Sequence, residues 1–150
     1  YVWLPEQRPQ DFVAFIDRYV GSDQPSGFRL AAFRRVYIDR AGTDQDTRDL
    51  AELQMPGNRG AFSLYLRGRG YYQAIITIAQ DGAVVLGVSI DDPDGSAATL
   101  DQASRLLDQL REEFGSPAGV AGVELPPPLS RSEWAEEAGV QIRVGALPIG

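Results

Sequence analysis

Residues 61–90 read AFSLYLRGRGYYQAIITIAQDGAVVLGVSI, and this stretch decides the fold. Side chains alternate between two faces within Ala61–Arg67, Tyr71–Ala79 and Ala83–Ile90, which is the period of a β-strand. Short glycine-bearing connections separate the three runs, and one of them contains an Asp-Gly pair, a strong hairpin signal. The sequence therefore predicts an antiparallel β-meander.

Helical patterns flank the meander on both sides. Apolar residues recur at helical spacing over residues 99–114, where Thr99 and Gln102 have the spacing of a capping box. A second apolar stripe predicts an N-terminal helix over about residues 10–20. We expect a single α+β domain over residues 1–150, with two layers, a sheet of four to six strands and the long helix on one face.

Shorter elements are expected in the rest of the chain. These are a strand at Phe28–Ile38, a short helix capped by Thr43, a strand at Val120–Leu125, a helix at about Arg131–Ala138 capped by Ser130, and a strand at Val140–Ala146.

The absence of three residue types excludes many chemistries. The chain has no Cys, no His and no Lys, and all 14 of its basic residues are Arg. Thiolate catalysis, Schiff bases and a P-loop lysine are excluded, and so is the commonest general base. The use of Arg in place of Lys indicates a GC-rich genome, and the small acidic domain is of a bacterial type.

The net charge of −7 bears on partners and location. A negative field attracts a basic partner and opposes binding to nucleic acid or to an anionic membrane, because affinity for phosphate comes mainly from cations. No apolar run approaches the roughly 20 residues of a membrane span, so we expect a cytoplasmic protein, with a removed leader as the alternative.

The alternation sorts the meander into two unequal faces. One face is uniformly apolar and is the expected core under the long helix. The opposite face carries Tyr65, Arg67 and Tyr71, and a strand at 28–38 would add Phe33 and Tyr37 to it. Tyr and Arg are enriched at interface hot spots, so these five residues are the predicted partner contacts. The alternative is that the first helix, or residues 120–146, covers this face as a second core.

Acidic residues provide two further candidate sites. Asp44, Asp46 and Asp49 form a predicted acidic edge for a basic partner. Asp91, Asp92 and Asp94 precede a glycine and are weak candidates for a divalent cation, but the spacing lacks the other ligands of a calcium loop. No cofactor is predicted.

The sequence favours a non-catalytic, acidic protein-interaction module, of the inhibitor, immunity or secretion-chaperone kind. Two alternatives stay open. One is a carboxylate-dependent enzyme or cation binder centred on Asp91–Asp94. The other is a single-stranded RNA binder that stacks bases on the aromatic face. The same face could also pair two copies as a homodimer.

Overall fold

The computed structural model describes residues 1–24, 27–54, 57, 60–91 and 96–149. These residues form an antiparallel sheet of six strands with four helices on its inner face and a short fifth helix on its outer face. The expected α+β class is confirmed.

Every pair of neighbouring strands in the sheet is antiparallel, and the spatial order is β2-β3-β4-β1-β5-β6. The strands are β1 (Val2–Leu4), β2 (Phe62–Arg67), β3 (Gln73–Ile78), β4 (Val84–Ser89), β5 (Ala118–Ala121) and β6 (Ile142–Gly145). The helices are α1 (Pro9–Tyr19), α2 (Gly27–Phe33), α3 (Asp44–Ala51), α4 (Ala97–Phe114) and α5 (Arg131–Glu136), with a π-helical turn at Arg34–Ile38. None of these described helices is long and apolar enough to cross a bilayer.

The meander forms as predicted, and its apolar face is part of the main core. Leu64, Ile76 and Leu86 lie opposite one another across β2, β3 and β4, and all three are buried. Leu107 and Leu110 of α4 belong to the same buried cluster. Each such side chain contributes roughly 1.5–3 kcal/mol of transfer free energy, so this layer is the main source of stability.

A polar contact fixes α1 against α4. The Tyr19 hydroxyl donates to Glu113 at 2.5 Å and accepts from the Gln109 side chain at 2.9 Å. Burial, and then the Glu113 carboxylate, raise the pKa of Tyr19 to about 12. The hydroxyl therefore keeps its proton at neutral pH, and the bond between the helices is retained.

The predicted N-cap of α4 is wrong, because the helix begins earlier. Ser96, not Thr99, is the N-cap, and its hydroxyl accepts from the Thr99 N–H at 3.3 Å. At the other end Gly115 has φ 63°, the left-handed conformation that ends many helices. The predicted caps Thr43 of α3 and Ser130 of α5 are both confirmed.

The predicted strand at Phe28–Ile38 is wrong, because this segment is helical as α2 and the π-helical turn. Its apolar residues fit both periods, since Leu30, Phe33 and Tyr37 also recur at helical spacing. In the helical conformation Arg34 is exposed, whereas a strand would have pointed it into the core. Burying an unpaired guanidinium is costly, which favours the helix.

The centre of the sheet is a strand that the sequence did not predict. β1 is only three residues long, yet it pairs with β4 on one side and β5 on the other. The expected strand at Val120–Leu125 begins and ends earlier, as β5, and the final strand is confirmed as β6. Residues before the first helix therefore join the two halves of the sheet.

Candidate functional site

The outer face of the sheet carries a second, smaller core at one end. Trp3 of β1 and Trp134 of α5 meet edge to face, with ring centroids 5.5 Å apart. Val85 and Val120 belong to the same cluster, together with Leu125. The segment after β5 therefore covers this end of the outer face, which is one of the alternatives that the sequence left open.

At the other end of the sheet a groove of about 820 Å³, which we call the tyrosine groove, runs from the outer face to α4, whose residues Leu100, Leu106 and Leu110 also line it. Tyr65 of β2 and Tyr72, just before β3, line it with 55% and 63% of their surfaces exposed. Ile75, Ser89 and residues 125–127 also line it. The groove lies within the usual size range of ligand sites, roughly 300–1,000 Å³.

Tyr1 forms part of one wall of the tyrosine groove. Its ring packs on Gly87 so closely that no Cβ would fit there. Its hydroxyl donates to the Leu125 carbonyl oxygen at 2.6 Å. Burial, and then the neighbouring Tyr65, raise the pKa of the Tyr1 phenol, so it stays protonated and keeps this bond. The wall is therefore built from fixed groups.

The charges in the tyrosine groove are negative. Asp91 and Glu124 are the acidic residues that line it, and no Arg belongs to the lining that the structure describes. Glu124 has φ 51°, a left-handed conformation that costs a non-glycine residue about 1–3 kcal/mol. Its neighbour Leu125 is anchored by Tyr1, which helps to hold this conformation in place.

The structure separates the two adjacent tyrosines from each other. Tyr71 is half-buried and lies on the inner side, where its ring centroid is 5.9 Å from that of Tyr19. Tyr72, assigned to the inner face by alternation, is the exposed one. The pleat begins only at Gln73, after a turn in which Gly70 has φ 76°, so the period does not extend back to these residues.

Besides Tyr71, two more of the predicted contact residues, Phe33 and Tyr37, pack in the inner core. Phe33 is fully buried, and its ring lies 5.1 Å from Phe12 and 4.8 Å from Tyr37. Tyr37 is half-buried on the same cluster. Their assignment to an exposed face depended on the strand at 28–38, which is a helix and a π-helical turn.

Arg67 remains at the surface, at the outer edge of β2. Its guanidinium lies 3.4 Å from the carboxylate of Asp23, whose side chain is 94% exposed. Its backbone bonds to the side chain of Gln24. The ion pair is therefore worth little, and the guanidinium is free to engage another anion.

The predicted acidic edge is divided among three environments. Asp46 is buried and accepts two bonds from Arg35, at 2.7 and 2.8 Å, as well as one from the Thr43 N–H. The Arg35 bonds hold the pKa of Asp46 well below its ordinary value. Asp44 is exposed, and Asp49 accepts from Gln45. Asp46 thus stabilises α3 rather than presenting charge to a partner.

The candidate cation site is only partly visible. Asp91 is exposed and lines the tyrosine groove, while Asp92 and Asp94 lie outside the described residues. Within the described ranges no three acidic side chains stand close enough to share a metal ion.

Sequence reasoning missed several residues of the tyrosine groove. Tyr72 was placed on the wrong face, and Tyr1 and Leu125 were not considered as site residues. A signal for Leu125 does exist, because a run of three prolines follows it and stiffens the backbone. Nothing local points to Tyr1, since its partners lie far away in the chain.

The comparisons with known proteins identify no relative. No protein-family model matches the chain, and no significant match is found among the curated proteins or the solved structures.

Proposed function

We propose that this protein is a non-catalytic interaction module that binds a segment of a partner protein in the tyrosine groove. An inhibitor, an immunity protein and a secretion chaperone are the roles that suit such a module. The observation that supports the proposal is the exposure of Tyr65 and Tyr72 beside a formed groove.

Exposed tyrosines at a groove favour protein binding for a physical reason. A Tyr side chain offers a large contact area and a hydroxyl, and it loses little rotamer freedom on binding. Tyr65 and Tyr72 both line the groove, so one partner segment can cover both rings. Isolated exposed aromatics would carry no such argument.

The electrostatics favour a basic partner. The groove is lined by Asp91 and Glu124 and, among described residues, by no cation. The net charge of −7 adds a long-range field of the same sign. Opposite charge raises association rates and excludes acidic competitors, whereas a phosphate backbone would be repelled.

The phenols of Tyr1 and Tyr65 suit hydrogen bonding to a partner better than proton transfer. Burial raises the pKa of the Tyr1 and Tyr65 phenols above the ordinary value of 10.0. Both are therefore protonated at neutral pH and serve as hydrogen-bond donors, not as bases.

The test is selection of a random dodecapeptide library on the immobilised protein. Enriched peptides are then measured by fluorescence anisotropy on the wild type, Tyr65→Ala and Tyr72→Ala. We expect each substitution to weaken binding at least about thirtyfold, as for a hot spot worth ~2 kcal/mol.

Phe28→Ala is the matched control, because Phe28 is an exposed aromatic that does not line the groove. Its affinity should equal that of the wild type. The proposal is overturned if no peptide is enriched, or if the tyrosine variants bind as well as the control.

A further inference from the structure

We infer that the free edge of β2 beside Tyr65 receives the C-terminal residues of a partner chain, with the terminal carboxylate bound by Arg29 and Arg67. The inference rests on the proposed function in that the occupant belongs to another protein. It concerns a second cavity, of about 490 Å³, which we call the β2 notch. Tyr65 and Tyr72 separate the notch from the tyrosine groove, since both residues line both cavities.

The backbone groups of β2 point alternately toward β3 and toward the outer edge of the sheet. The Gly68 N–H donates to the Tyr72 carbonyl oxygen of the neighbouring chain segment, so the backbone of Gly68 faces β3. Backbone groups alternate along a strand. Those of Tyr65 and Arg67 therefore face the opposite way, toward the outer edge of the sheet.

At Arg67 the backbone groups that face the outer edge already have hydrogen-bond partners. The Arg67 N–H donates to Gln24 Oε1 at 2.9 Å, and the Arg67 carbonyl oxygen accepts from the Gly21 N–H at 2.9 Å and from Gln24 Nε2 at 3.1 Å. The side-chain amide thus makes the pair of bonds that a neighbouring strand would make. An added strand at Tyr65 would continue the same ladder, about 7 Å further along.

At Tyr65 the described residues make no such pair. No described side chain or loop bonds to its outward N–H or carbonyl oxygen, and a cavity lies beside them. Unpaired edge groups of this kind are templates for an extended peptide. The β2 notch is therefore a site for strand addition.

The unpaired part of the outer edge of β2 is short. Val20 bridges to Gly68 at one end and Gln54 bridges to Phe62 at the other. The span between them is roughly 20 Å, and the bridges and Gln24 leave about three residues of it free. A chain passing through would have to bend away at both ends, whereas a chain that stops there bends once. This geometry favours a terminus as the occupant.

The charged side chains that line the β2 notch, among described residues, are positive. Arg29 and Arg67 line it and, among described residues, no acid does. The Arg29 guanidinium is 3.7 Å from Glu52, beyond hydrogen-bonding distance, and its Nε–H is buried without an acceptor. A carboxylate in the notch can accept charge-assisted bonds from Arg29 and Arg67, whose side chains are 32% and 61% exposed. Positive charge here, within a protein of net charge −7, singles out the notch for an anion.

The test uses a hexapeptide library made in two forms, one with a free C-terminal carboxylate and one with a C-terminal amide. The tightest binders of the free-acid form are remade as amides and measured by anisotropy. We expect amidation to weaken binding about tenfold or more, as the loss of a charge-assisted pair implies. Arg29→Gln should reduce the difference between acid and amide, because Arg67 alone would then hold the carboxylate, while Arg34→Gln, at an exposed arginine outside the notch, should keep the full difference.

The outcomes separate this inference from the proposed function. Peptides that bind through Tyr65 and Tyr72 equally well as acid and amide would overturn the terminal site and leave the proposed function standing. An amide whose internal Asp restores full binding would show a side-chain carboxylate as the occupant and would also overturn it. The acid–amide comparison needs no variant, so misfolding of Arg29→Gln would not remove the test.

Discussion

Replacing Phe33 with Ala measures how firmly α2 is seated on the inner core. The Phe33 side chain is fully buried, and its ring contacts Phe12 edge to face and Tyr37 in a stack. Removing a buried phenylalanine typically costs 3–5 kcal/mol, which includes the cavity and the lost ring contacts. We expect Phe33→Ala to lower the free energy of unfolding by about 3–5 kcal/mol.

The same helix provides a control of the same residue type. Phe28 is 55% exposed, and the Arg29 guanidinium lies 5.4 Å from its ring centroid. Exposed contacts of this kind are worth about 0.5–1 kcal/mol. Phe28→Ala should therefore cost at most about 1 kcal/mol.

Urea denaturation followed by tryptophan fluorescence is the assay. Trp3 and Trp134 are the two tryptophans of the chain, and both lie in the outer core, away from the substitutions. The urea dependence of the unfolding free energy should be unchanged in both variants, because the fold is the same. A loss below about 1 kcal/mol for Phe33→Ala, or equal losses for the two variants, would refute the helical packing of residues 27–33.

Three further predictions concern packing, a buried polar pair and pH. Gly119→Ala should lower the free energy of unfolding by about 1–3 kcal/mol, because a Cβ would come within 2.6 Å of Leu107 Cδ1. In urea titrations the double variant with Leu107→Ala should lose less unfolding free energy than the two single variants together, and strict additivity would contradict this contact. Thr77→Val should cost about 1–3 kcal/mol, because it leaves the buried Ser63 hydroxyl, now 2.8 Å from Thr77 Oγ1, without that partner; adding Ser63→Ala should recover most of the loss, and no recovery would count against the pair. Because folding lowers the pKa of Asp46, its stabilising effect is complete above the ordinary pKa of 3.8 and is lost as the pH falls below that value. Asp46→Asn should therefore lower the melting temperature at pH 7, and its melting temperature should fall less than that of the wild type below about pH 4. If the melting temperatures of variant and wild type decline equally in acid, Asp46 does not have this role.

The elements that the sequence predicts well are those whose partners are close in the chain. The three strands of the meander are joined by short turns, so alternation and turn residues determine both their pairing and their inner face. The helices α1 and α4 have long apolar stripes that fit one period only. Local information is sufficient for this part of the fold.

The failures occur where two local patterns compete or where the partner is distant. The segment 28–38 fits a strand and a helix almost equally, and packing against Phe12 favours the helix. β1 is too short to show any period, and its pairing depends on residues far along the chain. Neither outcome can be predicted from a short window of sequence.

For the candidate site, the sequence predicted the exposure of side chains within β2 more reliably than within the turn before β3. Tyr65 and Arg67 are at the surface as predicted, because β2 keeps its period to the end. Extending the alternation of β3 back through the preceding turn predicts that Tyr71 is exposed and Tyr72 faces the core, and the structure shows the reverse. The amide of Gln24 and the wall at Leu125 depend on tertiary contacts, which no sequence pattern indicates.

The place of β1 in the sheet has a consequence for the order of folding. Trp3 pairs with Val85 and with Ala118, so β1 can dock only after most of the chain has been brought together. Closing such long loops costs entropy before any contact repays it, whereas the meander closes loops of a few residues. We expect β2, β3 and β4 to assemble first and β1 to join the two halves of the sheet in the rate-limiting step. Changes at Trp3 would then slow folding more than equally destabilising changes in α5.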